Sequence, residues 1–557
     1  MAQQRAIREQ ISLNGTWHFQ MDPFNAGARG GYADADAEVS GGRQVTLPAG
    51  FDGCGPGLTT YIGYGWFQRR FTVPVEWRGR SVSLYFGAVN FQATVWVNGT
   101  LLGEHPDAFL PFTFPVDEVL RYGEENVLTV RVDGAPRAGE VPGPEHGWRP
   151  VGGILREVTL QAMAPLHLGD VRIAAGADGA YQARVTMENA STTTETVEVR
   201  LSLHDAEGVA SPQAASFTVP AHGSISARLT GTVPMVRCWS PDQPHLYTAR
   251  IELWADGELR DAVETRIGFR TIAVEGGQLR LNGQPILLRG FNRHEDTPRA
   301  GMAMDLETAR ADFSAMRAAG ANCVRLAHYP HHPGELALCD ALGLLVMCEI
   351  PVYWWTGLEE GEAAYANKLA AAKRQLGTLI TRDYNHPSVI FWSVSNETRE
   401  DRPGVREGND ALLAHARALD PTRLVVHVAD ESVWTTAPHF PLDDVLCING
   451  YPTWFKGMEA GNSDYDLAES TRFWREQLAA LHAAYPEQPI FITEFGYPAL
   501  EGFADGPLGE ATQAETLAAE FAGMDAPYVC GTLIWCFADH PWPEIMAIRN
   551  LTTSPFG

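Results

Sequence analysis

The chain is expected to fold as two β-sandwiches followed by a C-terminal (β/α)8 TIM barrel lacking its last helix. Three observations carry this expectation. Short β-type runs separated by turn residues fill residues 1–162, and a second set with two-residue alternation fills 163–272. From 273 to 557, apolar runs alternate with helical patterns, the mark of a parallel sheet. The length agrees, because 557 residues exceed what one hydrophobic core holds at about 100–200 residues per domain.

In the first segment, TWHFQM, GWFQRRFTV, SVSLYFG, QATVWVNG, NVLTVRVD and REVTLQA are rich in β-branched and aromatic residues. Asn98-Gly99 between two of them signals a tight hairpin. This predicts a jelly-roll β-sandwich. In the second segment, Val197, Val199, Leu201 and Leu203 alternate with polar residues, so one strand face is buried and one is wet. An immunoglobulin-like sandwich fits. The barrel strands are expected at 286–294, 323–328, 345–351, 389–397, 424–430, 445–452, 490–496 and 532–540. Helical patterns lie between them, among them LETARADFSAMRAAG, stopped by Gly320, and AAAKRQLGTLITRDY. After the last strand only PWPEIMAIRNLTTSPFG remains. Either the chain is truncated, or a neighbouring chain or the sandwich domains cover the gap; an uncovered strand face favours association, so a homo-oligomer is expected.

The net charge of −26 leaves no basic surplus to neutralise phosphates, which argues against nucleic acid or an anionic membrane as partner. No run of 18 apolar residues occurs, and MAQQRAIREQISLNG has no apolar leader core, so a cytoplasmic protein is expected. The eight cysteines mostly sit inside apolar runs, as buried thiols do in a reducing compartment. None forms C-x-x-C spacing, and Pro330 and Pro333 interrupt any helix that could pair His328 with His331 on a metal. No metal or other cofactor is expected.

Two apolar strand-type runs end in glutamates, SVIFWSVSNE at Glu397 and PIFITEFG at Glu494. On strands four and seven of one barrel, both side chains reach the same C-terminal mouth. Two carboxyls in one pocket are the minimum equipment for glycoside cleavage: one protonates the leaving oxygen, the other attacks or stabilises the anomeric carbon. Aromatic residues Trp354, Trp355, Tyr451, Trp454 and Trp535 fall at the same mouth and suit the apolar faces of sugar rings. His294, His328 and His331 are candidates for hydrogen bonds to sugar hydroxyls. Arg325, inside a strand, needs an anionic partner, and Glu494 across the barrel floor would serve. The substrate is then a small-molecule glycoside or oligosaccharide. A non-catalytic carbohydrate-binding scaffold is the rival of another class, although a pure binder has no need of an acid pair.

DYNHPSVIFWSVSNE (383–397) and NCVRLAHYPHHPGELALCDALGLLV (322–346) resemble the two signatures of glycoside hydrolase family 2. GFNRHEDTP (290–298) and FITEFGYPALEGF (491–503) resemble further blocks, and LNGTWHF, VWVNG and GWRPVGGILREV resemble its sugar-binding sandwich. The resemblance implies a retaining exo-β-glycosidase with Glu397 as acid/base and Glu494 as nucleophile. It implies that Asn396 binds the sugar 2-hydroxyl, that Tyr451 bonds the nucleophile, and that Trp535–Cys536 is a cis peptide. HYPHHP and NRHE lean toward the β-galactosidase branch, with a β-glucuronidase or other β-uronidase as the alternative. The sequence departs from the family's glucuronidase branch at the Asn-x-Lys loop, which here reads Arg549-Asn550-Leu551-Thr552, and at a sandwich-loop aspartate, here Gly147. Arg149 or Arg549 is left to hold a sugar carboxylate. Two milder departures are Tyr384 in place of Lys or Arg and Leu326 in place of Ser or Thr.

Overall fold

The computed structural model describes residues 7–34, 42–205, 208–453 and 467–540. The N-terminal part is built from antiparallel sheets. A six-stranded sheet runs in the order Arg43–Leu47, Gly15–Asp22, Tyr64–Thr72, Glu125–Asp133, Gln92–Val97, Thr100–His105. A four-stranded sheet of Glu9–Ser12, Val158–Met163, Ser81–Phe86 and Phe112–Pro115 accompanies it. Their buried side chains form one core, with Trp17, Phe67, Leu84, Phe86, Val95 and Leu128 fully enclosed. Asn98 and Gly99 make the expected two-residue hairpin, both at positive φ (51° and 81°), between paired Val97 and Thr100.

The second part is a three-stranded sheet against a four-stranded one, seven strands in all. The two-residue alternation is realised on Glu195–Asp205, where Val197, Val199, Leu201 and Leu203 are buried against the facing sheet.

The third part is a closed barrel of eight parallel strands: β1 Leu288–Arg293, β2 Cys323–Leu326, β3 Leu345–Glu349, β4 Val389–Asn396, β5 Leu424–Ala429, β6 Leu446–Asn449, β7 Ile490–Phe495 and β8 Val529–Ile534. The first seven start within two residues of the sequence reading and all end sooner. The eighth begins three residues earlier and stops at Ile534. A cis peptide at Trp535–Cys536 follows it, so WCFADH is mouth loop rather than strand. Pro333, read from the sequence as a helix breaker, instead opens the helix Pro333–Leu342 at its first turn, with His332 as the cap. Proline's fixed φ suits that position, where its missing N–H has no partner to lose. Residues after His540 lie outside the described residues, and the question of a closing helix falls there. Among the described residues no helix is long and apolar enough to cross a membrane, and all eight cysteines are free thiols.

The first sandwich is clamped to the barrel mouth by buried polar contacts. Arg156 donates to Phe109 O (2.7 Å), to Glu295 Oε2 (2.9 Å) and to Pro330 O (2.6 Å). Glu295 Oε1 in turn accepts the His332 N–H at 2.9 Å. The Asp107 carboxylate accepts both forks of Arg374 at 2.7 Å. Arg374 is half exposed, but Arg156 and Glu295 are both buried, and breaking a buried pair from one side leaves an uncompensated charge. Arg156→Met is therefore expected to destabilise the protein by about 3–5 kcal/mol. Its thermal unfolding midpoint measures this, and an unchanged midpoint would refute the clamp.

Candidate active site

The site grows from the middle of β2. Arg325 is wholly buried there, and its guanidinium is shared among four acceptors. It donates to Glu494 Oε1 (2.5 Å), Asn292 Oδ1 (3.1 Å), Asn396 Oδ1 (2.6 Å) and both oxygens of Glu349 (2.8 and 3.0 Å). The strand ends β1, β3, β4 and β7 are thus tied to one cation. Burial by itself would raise the Glu349 carboxyl, but Arg325 and His328 outweigh it and hold the group down at about 2. Ser393 Oγ adds a donor to Glu349 at 2.6 Å.

The two glutamates sit differently. Glu494 has each oxygen engaged by a donor, Arg325 on Oε1 and the Tyr451 hydroxyl on Oε2 at 2.7 Å. Both partners are those expected from the sequence. Burial, with the nearby Glu494 charge, pushes the Tyr451 phenol well up, so it remains a protonated donor. Glu397 lies one residue past β4 in the left-handed region, at φ 48°. It accepts from the Trp354 indole N–H and from Asn449 Nδ2, each at 2.9 Å. Burial raises its carboxyl most, the charges of Glu494 and Asp430 add to that, and these two donors offset only part. The result is about 8. Desolvation thus contributes first and the neighbouring carboxylate second.

Asn396 accepts from Arg325 and from Asn449 Nδ2 (3.2 Å), while its own Nδ2 is buried without a partner. An amide held through its oxygen presents its donor in a fixed direction. Around these groups stand aromatic rings. His328 stacks on Trp535 (5.0 Å between centroids, 21° between planes) and on Trp148 (5.9 Å, 28°). His328 Nδ1 meets Glu349 at 3.0 Å. His294 packs on His540 at 4.1 Å and edge-on to Trp535 at 5.3 Å, with Nδ1 against the Tyr329 hydroxyl. Burial, and then neighbouring histidines, lower His294 well below its ordinary value; burial lowers His328 as well and takes His540 to about 3. This wall is neutral at pH 7.

Other expected residues fall elsewhere. His331 is corrected: it is buried, Nδ1 meets Glu335 Oε2 at 2.9 Å and Nε2 meets Ala327 O at 3.2 Å. Neither nitrogen is left for a sugar, and Glu335 also carries Arg293 at 2.9 Å, so His331 belongs to a buried structural network. Trp355 is corrected too. It is 1% exposed and stacked on Tyr365 at 5.0 Å, so only Trp354 of the pair faces the acids. Arg149 is held by Asp52 (2.8 Å) and Asp296 (3.2 Å), which corrects its reading as a free carboxylate holder. Trp454, Arg549 and Asn550 lie outside the described residues. Among the described residues no group of three or more His, Cys, Asp or Glu side chains could hold a metal ion.

Three contributors escaped the sequence reading. Asn449, the last residue of β6, joins Asn396 to Glu397 and is oriented by Thr493 Oγ1 at 2.8 Å. Its strand-end position after an apolar run was the available signal. Glu349, the last residue of β3, carries the same signal. Trp148 comes from the sandwich domain, and nothing local in GWRP announces that it reaches across to the barrel.

Comparisons with known proteins cover nearly the whole chain. Models described as "Glycosyl hydrolases family 2, sugar binding domain", "Glycosyl hydrolases family 2" and "Glycosyl hydrolases family 2, TIM barrel domain" match residues 11–164, 166–270 and 272–540. A Paenibacillus borealis protein named β-glucuronidase is 29% identical over 566 residues, covering 96% of this chain and 91% of its own. A Canis lupus familiaris β-glucuronidase is 29% identical over 585 residues, covering 96% and 85%. The crystal structure of Ruminococcus gnavus β-glucuronidase with a C6-substituted uronic isofagomine superposes with a TM-score of 0.88 at 26% identity, covering 100% of this chain and 95% of that one. These relatives favour the glucuronidase alternative over the β-galactosidase that the histidine motifs had put first. With matched models spanning both sandwiches and the barrel, the chain is a glycoside hydrolase and belongs to glycoside hydrolase family 2.

Proposed function

We propose that the protein is a retaining exo-β-glycosidase acting on terminal β-linked uronic acids, a β-glucuronidase. The observation that carries the chemistry is the unequal environment of two carboxyls in one pocket. Glu494 is saturated by two strong donors, whereas Glu397 is crowded, near a negative charge and raised toward its neutral form. In this reading Glu494 attacks the anomeric carbon as the C–O bond breaks. Glu397 gives its proton to the leaving oxygen, then removes one from the water that releases the sugar. Tyr451 and Arg325 stabilise the nucleophile's charge and orient it; Asn396 Nδ2 supplies the donor for a sugar hydroxyl. The sugar assignment rests on similarity to β-glucuronidases over nearly the full length of both chains.

One observation favours a second reading, a neutral sugar such as galactose. Among the described residues, the arginines at the mouth are already committed, Arg149 to two aspartates and Arg325 to two glutamates. The nitrophenyl β-glycosides of glucuronate, galacturonate, galactose and mannose separate the readings. We expect kcat/KM for the glucuronide to exceed the galactoside by at least about 10²-fold. The reverse order replaces the uronate by a neutral sugar, and binding without release favours a scaffold. The first-formed product should be the β-anomer by NMR; an α-anomer would mean inversion.

A further inference from the structure

The pairing of β3 with β4 continues past the strand ends. The Asn396 N–H donates to Val352 O at 2.9 Å, the Trp354 N–H to Asn396 O at 3.2 Å, and Tyr353 bridges Asn396 in parallel register. Backbone bonds therefore fix Tyr353 beside Asn396 and Glu397. Its ring is walled by His328 (4.9 Å), Trp148 (5.3 Å, edge-on) and Trp354 (4.7 Å). Burial, then the charges of Glu397 and Glu494, push its phenol well above the usual value, so the hydroxyl is a donor. Yet it makes no hydrogen bond among the described residues. The ring is only half-buried and its oxygen is not among the enclosed unpaired atoms, so it opens onto accessible space where a bound molecule can accept from it.

The room for the oxygen comes from another domain. A Cβ on Gly147 would stand 2.8 Å from Tyr353 Oη and 3.4 Å from Cζ. A side chain at 147 and the hydroxyl at 353 thus exclude each other.

We propose that Tyr353 is a substrate-binding residue whose hydroxyl donates a hydrogen bond to one hydroxyl oxygen of the terminal sugar, and that Gly147 is required as the space it occupies. Specificity at that hydroxyl is then set jointly by the barrel and the sandwich. The inference rests on the glycosidase reading above and adds to it a residue pair and the kind of group recognised.

The test uses the full-length enzyme and the nitrophenyl β-glycoside it cleaves best, with that substrate's 2-, 3- and 4-deoxy analogues. Tyr353→Phe is expected to lower kcat/KM about 5- to 30-fold on the parent. For one deoxy analogue, the deficit seen with the wild type should vanish in the variant; the other two should keep theirs. Gly147→Ala should also lose activity, and the double variant should be no worse than Tyr353→Phe alone, because the 2.8 Å conflict leaves with the hydroxyl. If Tyr353→Phe lowers the melting temperature, the analogue comparison still decides, since a packing defect penalises all analogues alike. Activity of Tyr353→Phe within twofold of wild type, or undiminished deficits on all three analogues, would overturn the proposal. A wild type that cleaves a galactoside but no glucuronide overturns the sugar assignment and leaves Tyr353 tested on the galactoside. One that cleaves no aryl β-glycoside overturns both.

Discussion

Glu494→Gln is expected to abolish turnover, with kcat reduced on the order of 10⁴-fold or more. The neutral amide is too weak a nucleophile to attack the anomeric carbon. It also cannot accept from both neighbours, because one of its two terminal atoms becomes an N–H₂ facing either Arg325 or the Tyr451 hydroxyl, both donors. The defect should appear in kcat. Affinity for a competitive sugar lactam should change little, and the fold should persist, since Arg325 keeps Glu349 as a second anion. Steady-state kinetics with a nitrophenyl glycoside, alongside circular dichroism, checks this. A variant within tenfold of wild type would remove Glu494 as nucleophile.

Glu397→Ala is expected to cost about 10²- to 10⁴-fold in kcat/KM, and the loss should depend on the leaving group. Alkyl glycosides need the proton and should suffer most; activated aryl glycosides should suffer least. Azide should restore release from the glycosyl-enzyme by entering the space the carboxylate vacates. The pH profile carries the same assignment. Burial and the Glu494 charge raise Glu397 to about 8, and the acid form is the active one. Activity should therefore hold through neutrality and fall as pH rises past that value. An ordinary carboxyl, with its pKa near 4, would have lost its proton and its activity far lower. Removing Glu397 should remove this alkaline limb. Persistence of the limb in Glu397→Ala would assign it to another group.

Much of this architecture could be read from local patterning. Eight apolar runs with helices between them became eight barrel strands, and alternation on 197–203 became a half-buried sandwich strand. Both follow from backbone geometry, which repeats along an element. Glu397 and Glu494 were legible for a related reason: an acid at the end of an apolar strand run has one destination in a barrel, its C-terminal mouth. Past the strand ends that regularity stops. Trp354 and Trp355 are neighbours in the chain, but one meets Glu397 and the other enters the core, because the loop turns between them with Trp354 at φ 45°. His328 and His331 share one short motif, and only the first faces the carboxyls.

The amino-acid sequence alone determined the layer order, the barrel and the two acids, since each depends on short-range periodicity and on where a strand ends. Only the tertiary structure decided which acid is raised toward its neutral form, that Asn449 ties Asn396 to Glu397, and that Trp148 and Gly147 of the sandwich meet His328 and Tyr353 at the barrel mouth. Those features depend on distances between segments hundreds of residues apart, and electrostatic and steric effects act through space rather than along the chain.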